Sequence, residues 1–204
     1  MHLRVATLFA AALALSTAAF GQAIAGAPSD AFLVRYAANL NVGDSVINLT
    51  NAGTQNAAGA LTNICANVYA FSPDEQLISC CSCTVTPNAL VSLSAVSDLI
   101  SNTLTPARPN SIVVKLIATA GTACNASNVP VASLAAGLTA WGTTLHAGAV
   151  AGTFAVTETQ FAEKGLSAAE LARLTSFCGF IQANGSGFGI CRSCRLGGQG
   201  AVRQ

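Results

Sequence analysis

Three cysteines lie within four residues, Cys80-Cys81-Ser82-Cys83, and this stretch constrains the fold more than any other part of the sequence. Sulfurs in such numbers can be paired as disulfides, bound to a metal or used in redox chemistry, and each use demands a different arrangement of the chain. The compartment in which the chain folds decides between these uses. Five more cysteines are spread along the sequence: Cys65, Cys124, Cys178, Cys191 and Cys194.

The N-terminus indicates that compartment. After His2 and Arg4 the chain is almost wholly apolar up to residue 20, and small residues follow. This pattern predicts a secretory signal peptide over residues 1–21, with cleavage after Gly21 or Ala25. The apolar run is short for a membrane span, which needs about 20 residues. We therefore expect a secreted protein, extracellular or periplasmic, with no membrane span once the signal is removed.

Export would place all eight cysteines where thiols usually end as disulfides. Their number is even, so we predict four bridges, and the sequence leaves their connectivity open. Cys80 and Cys81 would point to opposite faces of a strand, so they should bond to different partners. The turn signal at residues 72–75 predicts a hairpin that returns the chain beside Cys65. We therefore expect one bridge between the triple-cysteine stretch and Cys65.

Eight segments combine alternating polarity with β-branched and aromatic residues, which is typical of strands. Residues 133–146 also fit a helical stripe, but the glycines and threonines from residue 138 onwards favour a strand. The almost continuous apolar character of one segment predicts burial on both faces, with Lys115 reaching an edge. The predicted strands are 31–37, 45–50, 64–71, 76–81, 89–95, 111–118, 138–146 and 154–160.

A single helix is predicted after these strands. Ser167 and Glu170 form a capping-box sequence, and Asn184-Gly185 supplies a stop signal. The residues expected to face inward are Leu171, Leu174, Cys178 and Ile181.

This order predicts a mainly β fold, an antiparallel β-sandwich with one C-terminal α-helix stapled by disulfides. We expect one domain over residues 31–196, between a mobile leader at 22–30 and a disordered tail at 197–204.

The charge balance argues against nucleic acid as a partner. The whole chain has a formal net charge of +1, and removing Arg4 with the signal leaves about zero. No basic patch is present to bind phosphates. A weakly charged surface also gives little electrostatic protection against association, so self-association is among the hypotheses.

Two other uses of the thiols remain as alternatives. The triple-cysteine stretch together with Cys191-x-x-Cys194 could bind zinc, because CxxC is a common spacing of zinc ligands. Cys191 and Cys194 could also serve a thiol oxidoreductase, although such pairs normally lie at a helix N-terminus. Disulfides are the favoured interpretation, and we expect no metal and no cofactor.

Hydrolytic chemistry has few candidates. His146 is the only histidine after the signal, so any catalytic triad would depend on it. Paired carboxylates for glycoside chemistry could come from Asp74, Glu75, Glu158 and Glu163, although turn and cap roles explain them equally. Three sequences match the glycosylation pattern, at Asn48, Asn125 and Asn184.

Two segments carry a family resemblance. They run from Ile64-Cys65 through Cys80-Cys81-Ser82-Cys83 to Pro87-Asn88, and from Gly179-Phe180 to Cys194. Together they resemble a group of secreted, cysteine-containing bacterial proteins that are themselves uncharacterised, over most of residues 60–195. The resemblance implies export and a shared cysteine framework, and it implies no activity and no site residues.

These observations favour an exported, non-catalytic structural, adhesive or binding module of the cell envelope or extracellular space. Strand exchange through an apolar N-terminal strand is one route by which such a module could self-associate. A secreted enzyme, either a thiol oxidoreductase or a hydrolase, and a zinc-binding protein are the alternatives.

Overall fold

The computed structural model describes residues 21–56, 58–192 and the backbone of 195–196. Residues 1–20 of the predicted signal peptide, the predicted tail at 197–204 and Cys194 lie outside the described residues.

The described residues form a β-sandwich of two five-stranded sheets with one α-helix after the main strands. The first sheet has the order β4-β3-β6-β1-β9 and the second the order β10-β5-β2-β7-β8, and neighbouring strands are antiparallel. The strands are β1 (Phe32–Ala37), β2 (Val46–Asn51), β3 (Ile64–Phe71), β4 (Leu77–Val85), β5 (Leu90–Ser94), β6 (Ile112–Ala120), β7 (Leu138–Ala147), β8 (Phe154–Gln160), β9 (Ala162–Glu163) and β10 (Arg195–Leu196), and the helix is α1 (Ala168–Ala183).

All eight predicted strands are present, and the ambiguous segment at 138–146 is strand β7, whose buried and part-exposed residues alternate. Strand β4 extends to Val85, so the triple-cysteine stretch lies within the strand. The prediction that Lys115 reaches a sheet edge was wrong, because β6 lies between β3 and β1. The Lys115 ammonium instead forms an ion pair with Glu170 of α1 at 2.5 Å.

Apolar side chains are buried in two layers. The larger core lies between the sheets, and the smaller one lies between the first sheet and α1. Every residue of β3 is buried, because one face of this strand meets the second sheet and the other meets the helix. In the smaller core the Tyr69 hydroxyl donates a 2.7 Å hydrogen bond to the Ala126 carbonyl. Burial raises the pKa of Tyr69, so its phenol stays protonated as a donor.

The helix begins as predicted. The Ser167 hydroxyl oxygen accepts a hydrogen bond from the Glu170 N–H at 3.1 Å. The Glu170 carboxylate accepts hydrogen bonds from Lys115 and Arg173. The four residues predicted to face inward are the buried residues of this helix: Leu171, Leu174, Cys178 and Ile181.

Three disulfides join distant parts of the described chain: Cys65–Cys124, Cys80–Cys178 and Cys81–Cys191. Cys83 is also disulfide-bonded. Cys80 faces α1 and Cys81 faces the space between the sheets, so the predicted separation of these neighbours is confirmed.

The predicted bridge from the triple-cysteine stretch to Cys65 was wrong. Cys65 lies opposite Thr84 of β4 on one side and Thr119 of β6 on the other. The chain leaving β6 turns back at Gly121 and brings Cys124 to this sulfur. The hairpin signal identified one neighbour of β3, whereas the bond forms beside the other.

Candidate functional site

The cysteines do not form a reactive centre in the described residues. Cys80, Cys81 and Cys191, which were candidate zinc ligands, all lie in disulfides. Within 21–56 and 58–192, no group of three or more His, Cys, Asp or Glu side chains could hold a metal ion. A redox CxxC pair works by closing a bridge between its own two cysteines, but Cys191 is bonded to Cys81 and is only 6% exposed. This geometry disfavours the oxidoreductase hypothesis.

His146 lies near the exposed end of β7. Its Nε2 atom is 3.0 Å from the Thr157 hydroxyl, and its Nδ1 atom is 3.5 Å from the Asn39 amide nitrogen. These contacts with a threonine and an asparagine do not provide the nucleophile, base and carboxylate of a catalytic triad.

The four candidate carboxylates lie in two parts of the fold: Asp74 and Glu75 are neighbours in the turn between β3 and β4, and Glu158 and Glu163 lie on the consecutive strands β8 and β9. Asp74, Glu75 and Glu163 line three different surface clefts. Glu158 lies on β8 of the second sheet, whereas Glu163 lies on β9 of the first. Glycoside hydrolysis needs two carboxyl groups across one bond of the substrate, and each of these three clefts is lined by a single candidate carboxylate.

Strand β8 is exposed along its whole length. It is the last strand of the second sheet, and all seven of its residues are exposed, including Phe154 at 55% and Val156 at 60%. No strand among the described residues pairs with the side of β8 that faces away from β7. We call this side the free edge.

The backbone hydrogen bonds define which groups point to the free edge. The Gly148 N–H donates to the Thr153 carbonyl at 2.8 Å, and the Phe161 N–H donates to the Ala140 carbonyl at 2.9 Å. Since antiparallel strands alternate between bonded and non-bonded pairs, the odd-numbered residues of β8 bond to β7. The even-numbered residues direct their N–H and C=O groups outward: Phe154, Val156, Glu158 and Gln160.

A buried arginine fixes β8 to the rest of the sandwich. The Arg35 guanidinium from β1 donates to the hydroxyls of Thr159 at 3.1 Å, Thr144 at 2.9 Å and Ser45 at 3.2 Å. It packs against Gly142, where an added Cβ would lie 2.5 Å from the guanidinium carbon. Burial lowers the pKa of Arg35, and the charge of Glu158 offsets part of this effect.

The face of the second sheet that points away from the first sheet carries a polar row. Direct cross-strand pairing joins Ser92 to Asn48, Asn48 to Trp141 and Trp141 to Gln160, so the four side chains share one face on four adjacent strands. We call these four residues the outer row. Trp141 is part-exposed and Gln160 is exposed.

Hydrogen bonds connect the outer row to β8. The Ser92 hydroxyl donates to the Asn48 carbonyl oxygen at 2.6 Å, and the Asn48 amide donates to the Glu158 carboxylate at 3.5 Å. Asn48 therefore has its amide engaged within a central strand. The other two glycosylation-pattern asparagines lie elsewhere, Asn125 in a loop and Asn184 at the end of α1.

Sequence reasoning selected Asn48 and Glu158 for other reasons and missed the outer row. Trp141 was visible only as an apolar residue of an ambiguous segment. A usable signal was the alternation in β8, whose register with β7 places Ala155, Thr157 and Thr159 on the inner face. Small or hydroxylated residues at all three inner positions leave the strand without apolar side chains for the core, which indicates an edge.

Comparisons with known proteins add little. No family model matches the sequence, and no curated protein matches it. A solved structure of Thermotoga maritima protein 1070 is similar over 67% of this chain and 94% of that chain, with 11% identity and a TM-score of 0.38. A likeness at this level carries no argument about either fold or function. None of the helices in the described part of the chain is both long and apolar enough to cross a bilayer.

Proposed function

We propose that this protein is an exported, non-catalytic structural or adhesive module that assembles with a second copy of itself through the free edge of β8. The observation that carries the proposal is the exposure of all seven residues of this edge strand. An uncovered strand edge offers unpaired N–H and C=O groups to another strand, so proteins usually protect it.

The other three sheet edges are short or covered. Residues 189–191 run beside β4, where the Cys80 N–H donates to the Gly189 carbonyl at 2.9 Å and the Cys191 N–H donates to the Cys80 carbonyl at 3.2 Å. The edge strands β9 and β10 have two residues each. Within the described residues, β8 is thus the long edge left open, and its seven residues include a single charge, Glu158.

Symmetry limits the registers that are open to the pairing. Two copies of one strand meet antiparallel about a two-fold axis, and the residue on that axis faces itself. Centring the pair on Val156 bonds outward-pointing backbone groups and places valine against valine. Centring it on Glu158 would place two carboxylates directly opposite, which destabilises a strand pair. Among the registers that bond the outward-pointing groups and keep the two Glu158 carboxylates from facing each other, we propose the one with its axis at Val156.

The earlier idea of exchange through the N-terminal strand is replaced by this one. Strand β1 pairs with β6 over six residues and with β9 over two, and its inward-facing Leu33 and Ala37 are buried in the core. Releasing β1 would expose this core, whereas pairing at β8 adds contacts without breaking any.

Export is supported by the disulfides, which are typical of proteins that fold outside the cytoplasm. Contacts near the N-terminus favour the earlier cleavage site. The Ile24 N–H donates to the Leu166 carbonyl at 2.8 Å, and Ala23 forms a bridge with Ser167. Cleavage after Gly21 keeps both contacts and cleavage after Ala25 removes them. N-terminal sequencing of protein recovered from the culture medium or periplasm should begin at Gln22, and an unprocessed Met1 start in the cytoplasm would contradict export.

The assembly is tested by crosslinking and by solution mass. In an antiparallel bonded pair the two Cα atoms lie about 5.5 Å apart, within the range of a disulfide. Val156→Cys should therefore crosslink into a dimer on mild oxidation. The matched control Phe154→Cys, which lies off the axis, should not.

Light scattering provides the independent measurement. The unmodified protein should form concentration-dependent dimers. Val156→Pro should be monomeric, because proline removes an outward N–H while the β7 pairing retains its hydrogen bonds. A strict monomer at millimolar concentration, or equal crosslinking of both cysteine variants, would refute the proposal.

A further inference from the structure

We infer that the outer row, together with Glu158, is a binding site for a neutral oligosaccharide. The face combines the part-exposed indole of Trp141 with two neighbouring amides and a carboxylate, while the buried Ser92 hydroxyl supports the Asn48 amide from below. An aromatic ring covers the apolar C–H face of a sugar, while amides and carboxylates bond its hydroxyls.

The polar groups are held in position before any ligand arrives. Ser92 orients Asn48 through the 2.6 Å hydrogen bond, and Asn48 reaches across the sheet to Glu158. This connection passes over β7, the strand that carries Trp141. Polar groups fixed in this way give a ligand orientation without the cost of ordering mobile side chains.

Hydrogen-bonding capacity remains after these internal contacts. The Asn48 amide has a second N–H, and the second oxygen of the Glu158 carboxylate can accept another bond. Gln160 adds an exposed amide at the end of the row. Sugar hydroxyls both donate and accept, so they match this mixture of groups, which a purely apolar partner would leave unpaired.

The dimensions and charge of the face favour a neutral chain of sugars. Four strands spaced about 4.8 Å apart give a row about 15 Å long, which exceeds a single sugar ring. Glu158 is the only charged residue of β8, and the register continues beyond Ser92 to Arg195 of β10. With one residue of each sign at its opposite ends, the row offers a charged polymer no net attraction, whereas an uncharged saccharide meets no repulsion.

The chain provides its own reporter, because Trp141 is its single tryptophan. The probes are cellohexaose, xylohexaose, mannohexaose and chitohexaose, each titrated into the full mature protein up to about 10 mM, a range that reaches millimolar dissociation constants. At least one should change the intensity or wavelength of the Trp141 fluorescence in a saturable way. The same protein mixed with insoluble cellulose, xylan, mannan and chitin distinguishes a soluble source of the sugar from a polymer surface.

Variants test whether the fluorescence change comes from binding at the outer row and Glu158. Asn48→Ala and Glu158→Gln should each weaken binding at least tenfold, while Asn125→Ala, an asparagine in a loop outside the face, should leave it unchanged. Calorimetry with Trp141→Ala should detect no binding, and Trp141→Phe should retain part of the affinity. Circular dichroism tests whether each variant is folded. If Asn48→Ala is not folded, Ser92→Ala takes its place.

Failure of all four soluble probes and all four polymers, or binding that Asn48→Ala and Ser92→Ala both leave intact, would overturn the inference. The inferred sugar site is independent of the proposed assembly. A monomeric Val156→Pro protein that still binds the probe separates the sugar site from the free edge, and a dimer without sugar binding leaves the assembly standing alone.

Discussion

The two disulfides that begin at Cys80 and Cys81 should depend on each other in their contributions to stability. In the chain-entropy view, a bridge stabilises the folded protein by restricting the unfolded chain, and the effect grows with the loop that it closes. Cys80–Cys178 spans 98 residues and Cys81–Cys191 spans 110. Because Cys80 and Cys81 are adjacent, each bridge already brings the ends of the other close together.

The magnitude follows from the shortest path between Cys80 and Cys178. With Cys81–Cys191 intact, that path is about 14 residues, and closing it contributes about 3.0 kcal/mol. Without Cys81–Cys191, the shortest path runs through Cys65–Cys124 and is about 69 residues, which raises the contribution to about 4.4 kcal/mol. The cost of removing Cys80–Cys178 should therefore rise by about 1.4 kcal/mol when Cys81–Cys191 is absent.

A cycle of four proteins measures this difference. Cys80 and Cys178 are replaced by alanine with and without the same replacement of Cys81 and Cys191. All four proteins also carry Cys83→Ala and Cys194→Ala, so that no other bridge shortens the loops. Packing losses at Cys80 and Cys178 are the same in both halves of the cycle and cancel. Free energies of unfolding come from urea titrations without reductant. Equal costs in both backgrounds, or a smaller cost when Cys81–Cys191 is absent, would refute the reasoning.

Two further predictions concern the ion pairs of Glu170 and the space around two glycines. Burial alone would raise the pKa of Glu170, but the hydrogen bonds and charges of Arg173 and Lys115 lower it overall. Glu170→Gln should therefore lower the free energy of unfolding by about 1 kcal/mol at pH 7. Urea titrations from pH 7 to pH 3 should show this cost vanish as the pH falls through the lowered pKa of Glu170, and a cost that persists at pH 3 would contradict the ion pair. In a second comparison, by thermal unfolding, Gly142→Ala should destabilise the protein by about 2 kcal/mol because the added Cβ meets a buried guanidinium. Gly179→Ala within α1, whose added Cβ would lie 3.8 Å from its nearest neighbour, should stabilise the protein by about 0.5 kcal/mol. Equal effects at the two glycines would contradict this account of the packing.

The sequence predicted the elements of this fold well because their signals are local. Strand β8 was predicted at its observed bounds from alternation alone, and the inward face of α1 was predicted from helical spacing. The class of fold followed from their order. The neighbours of each strand were harder to predict, since sheet order depends on contacts between residues far apart in the chain.

The two errors about Lys115 and Cys65 have this common cause. Apolar continuity in β6 indicated burial but not which strands lie on either side. A hairpin turn revealed β4 as a neighbour of β3 but gave no sign that β6 lies on the other side. The outer row could not be predicted for the same reason, because its four members come from four strands that are separated in sequence.

The placement of the covalent links bears on the proposed assembly. The three bridges between described cysteines begin on β3 or β4, at one end of the first sheet, and they hold α1 and residues 189–191 over that end. The other end of the sandwich, where β1 meets β7 and β8, is joined by the hydrogen bonds of Arg35. Disulfides thus hold the segments that cover β4, while a buried cation positions an edge that no described strand covers. If β8 pairs with a second copy, the dimer should form without rearranging any disulfide, because every bridge between described cysteines begins on a strand of the other sheet.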